Sequence, residues 1–371
     1  MLRRQLAELL AIPDRQVVDL LTFWMALHDV GKFSAPFSAQ IEDLWLPEMG
    51  DRASVPDTPR HGEAGFLLWD KVIAADITAW FPDGRRLVPL ARAIFGHHGK
   101  PVAERVPTTV TDVYRRFGLE AAREFVRDTG TLLLSTPIRL EQERLVRASF
   151  AVAGVAVMAD WVGSSAAFAY HNEPMPLTTY WNGYALETAR AAVREFGLVP
   201  CTSAPERRLV QLMADERFKD LTPMQRWASE VALTNAPTLY IIEDSTGAGK
   251  TESALILAHR LISSGRASGA YFALPTMATA NALYARLAKA YLNFFATGTR
   301  PSLVLAHAAR DLDTRFTEGL FYDSDAPNGA EAECSAWIAD NRRRSFLAQL
   351  GVGTVDQALL AVLPSKFQAF A

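Results

Sequence analysis

The stretch "TLYIIEDSTGAGKTESALILAHRLI" (residues 238–262) decides the fold class of the C-terminal half of the chain. Its apolar, partly β-branched beginning, 238–244, predicts a strand, a glycine-rich turn follows, and the residues from 251 onward have the apolar spacing of a helix. A strand, a glycine-rich loop and a helix in this order are the structural context of a phosphate-binding loop. The stretch therefore predicts a nucleotide-binding α/β domain.

Further strands and helices follow this loop. "GAYFALPT" (269–276) and "PSLVLAH" (301–307) are predicted strands, and "ATANALYARLAKAYL" (278–292) is a predicted helix. Strands that alternate with helices indicate a parallel sheet. "YDSDAPNGAEAE" (322–333) is rich in turn-forming residues and is predicted to be a surface loop.

Residue types within the glycine-rich loop suit a triphosphate. Backbone N–H groups of 247–250 can surround a phosphate at the helix N-terminus, Lys250 can neutralise phosphate charge, and Thr251 can hold Mg²⁺. Asp244 departs from the usual pattern, because a carboxylate replaces Gly or Ala there and repels the triphosphate. The amide of Gln225, in "LTPMQRW", can bind an adenine edge, although this residue taken alone favours an ordinary surface glutamine. The predicted ATP-binding residues are Gln225, Thr246, Gly247, Ala248, Gly249, Lys250 and Thr251.

The first half of the chain is predicted to be mostly helical. "RQVVDLLTFWMAL" (15–27) and "LEAAREFVRDTGTLLL" (119–134) have apolar residues at i, i+3 and i+4. "FAVAGVAVMA" (150–159) is the longest apolar run; it is too short to cross a bilayer and is predicted to be a buried helix. We place the domain boundary at residue 200, between a helical domain (1–200) and an α/β domain (201–371).

Composition limits the classes of protein that the chain can represent. With 371 residues, 49% of them hydrophobic, the chain can form two domain cores. A net charge of −3 gives no global attraction to nucleic acid or membrane, so any DNA contact must come from a local groove. Cys201 and Cys334 are far apart, which excludes a disulfide scaffold and fits a reducing cytosol. Gln5 and Glu8 interrupt the apolar N-terminus, which we do not interpret as a signal peptide.

The motif "ALHDVGK" (26–32) ends the apolar helix that begins near residue 15. An ordinary helix C-terminus accounts for these residues taken alone, because the helix dipole favours His28 and Gly31 can end the helix. A second interpretation, a metal site, depends on the other histidines and carboxylates of the chain.

Further imidazoles recur in "RHGEAG" (60–65) and "GHHGKP" (96–101), and Asp160 lies at the end of the longest apolar run. A carboxylate in that position needs a metal, a cation or a helix-capping role. Mixed imidazole and carboxylate ligands suit a divalent metal from the middle of the first transition row, whereas structural zinc favours cysteines.

The order His-Asp, His, His-His, Asp on a helical domain resembles the HD superfamily of metal-dependent phosphohydrolases. The resemblance implies that metal-activated water hydrolyses a phosphodiester. It implies that Asp29 contacts or bridges the metal ions and that Lys32 stabilises charge on the phosphate; these two are the implied catalytic residues. The implied metal ligands are His28, Asp29, His61, His97, His98 and Asp160.

The motifs after residue 220 resemble the first RecA-like domain of a superfamily 2 helicase. Gln225 matches its adenine-sensing motif and 246–251 its nucleotide loop, while the turns near 276 and 354 match its strand-tracking motifs. Turn hydroxyls and helix N-termini can hold a nucleic-acid backbone without reading its sequence, although each turn alone is ordinary turn chemistry. The implied DNA-binding residues are Thr276, Asn281, Thr354 and Gln357.

An HD domain followed directly by such a domain resembles the CRISPR-associated helicase–nucleases of type I systems, in particular the type I-E branch. The resemblance implies a cytoplasmic antiviral enzyme that an RNA-guided surveillance complex recruits to single-stranded DNA, with no membrane partner. The histidine-rich ligand set allows Mn, Fe, Co or Ni in the HD site. The resemblance implies ATP with Mg in the helicase site.

Two departures from the family lead us to expect a chain that is truncated at both ends. No histidine precedes His28, where the family has another metal ligand, and no Asp-Glu-x-His box follows Lys250. Two alternatives remain open: an inactive fragment that binds only DNA or a partner complex, and an HD phosphohydrolase that acts on nucleotides.

Overall fold

The structure, a computed structural model, describes most of the chain. The described residues are 2–55, 58–99, 102–103, 105–168, 175–307, 316, 320–321, 334–335, 338–339 and 344–362. They form two compact units: the first comprises the described residues up to Ala189 together with Val362, and the second is Arg190–Ala361. The loop predicted at 322–333 and the last residues of the predicted α/β domain, 363–371, lie outside the described residues. The domain boundary at residue 200 remains a prediction.

The described part of the chain is mainly helical. Its α-helices are α1 (Leu2–Leu10), α2 (Asp14–Leu27), α3 (Ala35–Ser38), α4 (His61–Leu68), α5 (Ala74–Asp76), α6 (Val88–Phe95), α7 (Val110–Val113), α8 (Arg116–Leu133), α9 (Gln142–Gly163), α10 (Leu177–Tyr180), α11 (Leu186–Glu195), α12 (Leu209–Met213), α13 (Pro223–Glu230), α14 (Lys250–Ser263), α15 (Met277–Leu287) and α16 (Val355–Val362). Its strands are β1 (Ala270–Leu274), β2 (Leu303–Ala306), β3 (Leu320–Phe321), β4 (Cys334–Ser335) and β5 (Leu350–Thr354). Short 3₁₀ turns include Val30–Phe33 and Tyr291–Phe294, and π turns extend over Trp69–Ile73 and Trp181–Ala185.

Aromatic side chains fill the core of the first unit. The apolar stripe of α2 is buried, and it brings Phe23 and Trp24 against Phe81, with ring centroids 5.4 and 6.0 Å from that of Phe81. Offset and edge-on pairs at these separations stabilise a core beyond the area they bury. The structure confirms the helices that the sequence predicts at 15–27 and 119–134, as α2 and α8.

Helix α9 contains the longest apolar run, and the structure confirms that this run is helical. The helix has 22 residues, because it continues through polar residues on both sides of the run, and by length and composition alone it could cross a membrane. In the structure it packs against α1 and α6, and it buries Ala148, Val152 and Ala156 in the core. Its C-terminal turn carries Asp160 to the candidate metal site.

The main sheet of the second unit is parallel, with the strand order β1-β5-β2. The structure confirms the predicted strands at 269–276 and 301–307, as β1 and β2, and adds β5 between them, where the sequence predicts only a Gly-Thr turn. Glycine is unfavourable in a strand, and β5 contains Gly351 and Gly353, so its sequence does not predict a strand. Glycine is nevertheless required there, because a Cβ at Gly353 would lie 2.2 Å from the backbone carbonyl oxygen of Ala306 in the neighbouring strand.

The prediction of a strand at 238–244 is wrong. In the structure this segment belongs to neither described sheet. Its residues still alternate as in a strand: Tyr240 and Ile242 pack against a small core under α13 and α14, while Leu239 and Ile241 are 84% and 80% exposed. A strand needs a hydrogen-bonded neighbour, and among the described residues no strand lies beside this segment.

Candidate metal centre

The candidate metal centre begins where α2 ends. The helix stops at Leu27, and a 3₁₀ turn over Val30–Phe33 follows Asp29 directly. Gly31 lies in this turn against the start of α4, where a Cβ would be 1.7 Å from the carbonyl oxygen of His61. One interpretation of the sequence was that Gly31 ends the helix, and the structure shows that it does not. The missing side chain of Gly31 instead lets the turn approach α4.

Asp29 lies at the centre of the site. Its Oδ1 is 3.4 Å from Nε2 of His61 and 3.6 Å from Nε2 of His97. Its Oδ2 is 3.3 Å from Nε2 of His28 and 2.5 Å from Nζ of Lys32. The two oxygens of one carboxylate thus face different imidazoles, which is the arrangement that a bridging ligand requires.

Backbone carbonyl groups orient two of the imidazoles. Nδ1 of His28 donates to the carbonyl oxygen of Met25 at 2.5 Å, and Nδ1 of His97 donates to that of Ile94 at 3.0 Å. A hydrogen bond of this kind at one ring nitrogen leaves the lone pair of the other nitrogen available for a metal. In both residues the available nitrogen is Nε2, which faces the Asp29 carboxylate.

The ligand atoms form two overlapping groups. In each group the donor atoms lie within 4.8 Å of one another; the groups are His61, His97 and His98, and His28, His97 and Asp160. His97 belongs to both groups, and Asp29 lies between them. The structure thus brings together all the residues that the sequence suggested as metal ligands, in a shape that suits two neighbouring ions.

Asp160 is placed by the last turn of α9 and by a hydroxyl group. Its Oδ1 accepts a hydrogen bond from Oγ of Ser164 at 3.1 Å and lies 3.6 Å from Nε2 of His28. The carboxylate is inside α9 and does not cap a following helix. The sequence left a metal, a cation or a helix cap open as the partner of Asp160. In the structure this carboxylate lies beside the imidazole of His28, in one of the two groups of possible metal ligands.

Charges in the site favour the metal-binding protonation states of two ligands. Burial, together with the neighbouring imidazoles of His28 and His98, lowers the pKa of His97 to about 4. Burial opposes ionisation of Asp160, but the hydrogen bonds from His28 and Ser164 and the charges of His28 and His97 together outweigh it and lower the pKa of this carboxyl to about 2. At neutral pH His97 is therefore a neutral nitrogen donor and Asp160 an anion.

The polar atoms of the site fit a divalent metal. Oδ1 of Asp29 and Nε2 of His97 are buried, and neither has a hydrogen-bond partner among the described residues. Leaving such atoms buried without a partner is costly, and a cation between them would satisfy both. Nitrogen and oxygen donors are the ligands that Mn, Fe, Co and Ni accept.

The glycine-rich loop of the second unit has the geometry of a phosphate cradle. Gly247 and Gly249 have φ values of +86° and +90°, which favour glycine, and α14 begins at Lys250. Nζ of Lys250 donates to the carbonyl oxygens of Asp244 and Ser245, both at 2.7 Å. The lysine is thus held at the mouth of the loop, next to the N-terminus of a helix.

Gln225 is buried next to this loop and is not the surface glutamine that the sequence allowed. Its Oε1 accepts from the backbone N–H of Thr222, and a Cβ at Gly249 would lie 2.3 Å from its Nε2. The hydroxyl of Thr222 donates to the carbonyl oxygen of Ala248 at 3.2 Å. Sequence reasoning missed Thr222, although Thr-x-x-Gln at a helix start is a recognisable capping signal.

The implied DNA-binding residues lie on two neighbouring strands and the helices that follow them. Leu274 of β1 pairs with Thr354 of β5, so Thr276, the N-cap residue of α15, and Thr354 lie at the same edge of the sheet. Asn281 is hydrogen-bonded through Oδ1 to Nε2 of His307 at 2.6 Å, a partner that the sequence did not suggest. Gln357 lies on α16.

Comparisons with known proteins agree with this architecture. Residues 1–169 match the family described as the HD domain of Cas3. The CRISPR-associated endonuclease/helicase Cas3 of Escherichia coli K12 is 30% identical over 391 aligned residues, which cover 96% of this chain and 43% of that protein.

Solved structures extend the likeness to the whole chain. The crystal structure of T. fusca Cas3-AMPPNP matches with a TM-score of 0.78 and 24% identity over 100% of this chain and 41% of that one. A chain in a CRISPR RNA-guided surveillance complex in its pre-nicking state matches with a TM-score of 0.56 and 22% identity, over 100% of this chain and 37% of that one. The chain spans about two fifths of the length of these proteins.

The fold is a helical HD-type domain that contains a cluster of possible metal ligands, followed by a partial RecA-like domain with a phosphate-binding loop. The sequence predicted this fold class, and the comparisons confirm it. The chain is thus similar over nearly its whole length to the CRISPR-associated nuclease–helicases named Cas3, and its residues 1–169 match the HD domain of that family.

Proposed function

We propose that the HD-type unit hydrolyses phosphodiester bonds of single-stranded DNA with the help of divalent metal ions. The observation that carries this proposal is the position of Asp29, one carboxylate between two groups of imidazoles, with its buried Oδ1 lacking a hydrogen-bond partner among the described residues. A carboxylate shared by two ligand groups suits a pair of ions that act on one phosphate.

The ligand set would divide between two sites. His61, His97 and His98 would hold one ion, and His28, Asp29 and Asp160 would complete the other, with Asp29 shared by both. When bound, the metal supplies Lewis-acid activation of the phosphate and of the attacking water.

The side chains around the ligands would orient the substrate. Nζ of Lys32 lies 2.5 Å from Oδ2 of Asp29 and 5.6 Å from the centre of the Phe37 ring, and its side chain is 41% exposed. Its ammonium group can thus reach a phosphate oxygen from the open side of the site and neutralise charge that develops there. The Phe37 ring also contacts His61 edge-on, which keeps the ring of this ligand in place.

For the second unit we propose ATP binding with Mg, through Gln225 and the residues of the glycine-rich loop, Thr246–Thr251. Thr276, Asn281, Thr354 and Gln357 would hold the DNA backbone at the carboxyl edge of the sheet. The likeness to Cas3 supports recruitment by an RNA-guided surveillance complex, in the cytoplasm, for defence against foreign DNA.

Cleavage of circular single-stranded DNA by the purified chain tests this proposal. We expect cleavage with Mn²⁺, Co²⁺ or Ni²⁺ and none with a chelator, and we expect Asp29→Ala to abolish it. Asp43→Ala, which removes an exposed carboxylate of the same unit, is the matched control and should cleave like the parent. Equal cleavage by Asp29→Ala and the parent would contradict the metal-site assignment.

Two other outcomes would favour the alternatives. A folded chain that binds DNA without metal-dependent cleavage would be an inactive binding fragment. Faster consumption of free nucleotides than of DNA would identify a nucleotide phosphohydrolase. Metal binding measured by calorimetry separates a site that is occupied but slow from one that does not form.

A further inference from the structure

Asp244 lies just before the nucleotide loop, where the usual pattern has Gly or Ala. Its Oδ1 accepts a hydrogen bond from the backbone N–H of Ser245 at 2.7 Å, and the residue is exposed. Its own carbonyl oxygen accepts from Nζ of Lys250 at 2.7 Å. The carboxylate is therefore held at the entrance of the loop, on one of the two residues whose carbonyl groups accept from the Lys250 ammonium.

The side chain before Asp244 provides a natural comparison. Residues in an extended segment alternate between two sides, and the exposed row here is Leu239 and Ile241. Glu243 continues that exposed row, and Asp244, which follows Tyr240 and Ile242 in the other row, is exposed as well. Two adjacent carboxylates of equal charge are thus both exposed, and of the two only Asp244 accepts a hydrogen bond from the loop among the described residues.

A negative charge in this position acts differently on the two forms of the nucleotide. Metal-free ATP carries about four negative charges near neutral pH and its magnesium complex about two, so a fixed carboxylate repels the free form about twice as strongly. Salt weakens this repulsion, because the loop is exposed to solvent. By the same argument Lys250 attracts the metal-free form about twice as strongly as the magnesium complex, and the Asp244 carboxylate opposes that preference.

We propose that Asp244 makes the nucleotide loop select magnesium-bound ATP over metal-free ATP. This inference rests on the proposed ATP site and adds a selectivity to it. The hydrogen bond to Ser245 is a separate contribution of the same side chain, and an amide in place of the carboxylate would keep the acceptor while removing the charge.

Nucleotide binding by the whole chain tests the inference. The dissociation constant of a fluorescent ATP analogue would be measured with excess Mg²⁺ and with EDTA, for the parent, Asp244→Asn and the matched control Glu243→Gln. We expect Asp244→Asn to tighten binding of the metal-free analogue about tenfold and of its magnesium complex about threefold, with both gains shrinking in high salt. Glu243→Gln should change neither value by more than a small factor.

Each outcome has a defined meaning. Equal effects of Asp244→Asn on the two forms, or no effect on either, would overturn the selectivity while leaving the ATP site intact. Lys250→Ala tests the site separately and should weaken binding of both forms. Parent binding that is insensitive to Lys250→Ala, or no binding by any variant, would overturn the ATP site and the role of Asp244 together.

Discussion

Gly31→Ala tests whether the close approach of the Asp29 turn to α4 builds the metal centre. An added Cβ would lie 1.7 Å from the carbonyl oxygen of His61 and 2.7 Å from the backbone nitrogen of Gly65. Contacts shorter than 3.0 Å are essentially not observed, so one of the two segments must move by about 1.3 Å, the difference between 3.0 and 1.7 Å. Both obstructing atoms belong to backbone and cannot rotate away.

The displacement should cost both stability and metal affinity. Overpacking of this kind costs about 1–3 kcal/mol, and backbone on both sides places this variant at the upper end. At about 2–4 °C for each kcal/mol in a domain of this size, the melting temperature of the first unit should fall by about 6–12 °C. Because Asp29 and His61 lie on the two segments that separate, a shift on the order of 1 Å should also weaken metal binding and cleavage by about 100-fold.

Thermal unfolding and metal calorimetry of Gly31→Ala would check this prediction, with Gly183→Ala as the control. A Cβ at Gly183 would meet nothing within 4 Å, so that variant should match the parent in both measurements. A Gly31→Ala variant with the melting temperature and metal affinity of the parent would refute the argument from close approach.

Two further predictions concern the second unit. Gly353→Ala would place a Cβ 2.1 Å from the Tyr271 hydroxyl oxygen and 2.2 Å from the carbonyl oxygen of Ala306, so it should lower the melting temperature of this unit by several degrees; an unchanged thermal transition would contradict the packing of β5. Thr222→Ala removes the cap of α13 and the hydrogen bond to Ala248, so it should cost about 1 kcal/mol in urea denaturation and weaken nucleotide binding. Thr222→Ser should restore both quantities, and a serine variant as impaired as the alanine variant would show that the hydroxyl is not the cause.

The sequence suggested the residues of the candidate metal centre through the order His-Asp, His, His-His, Asp, and the structure brings these residues together. It could not predict how they meet, since the contact depends on Gly31 and on carbonyl groups of Met25 and Ile94 that no motif marks. The hydroxyl of Ser164 was equally hidden, because serine after a helix is common and its partner is fixed only by the last turn of α9.

The α/β unit shows where local sequence patterns mislead. The run at 238–244 alternates like a strand, but pairing is a property of two segments, and periodicity in one segment does not provide the other. The glycines of β5 lower its strand propensity, yet its neighbours leave no room for larger residues. In both cases the outcome is decided by contacts distant in sequence.

The exposed row of the 238–244 segment has a practical consequence for handling the chain. Two large aliphatic side chains, Leu239 and Ile241, face solvent on an extended backbone that belongs to no described sheet, which is a template for pairing between molecules. The adjacent carboxylates of Glu243 and Asp244 repel the same charges on a second molecule and so oppose such self-association. Variants that neutralise these carboxylates should therefore be studied in dilute solution. Salting-out conditions should lower the protein concentration at which the chain aggregates through this segment.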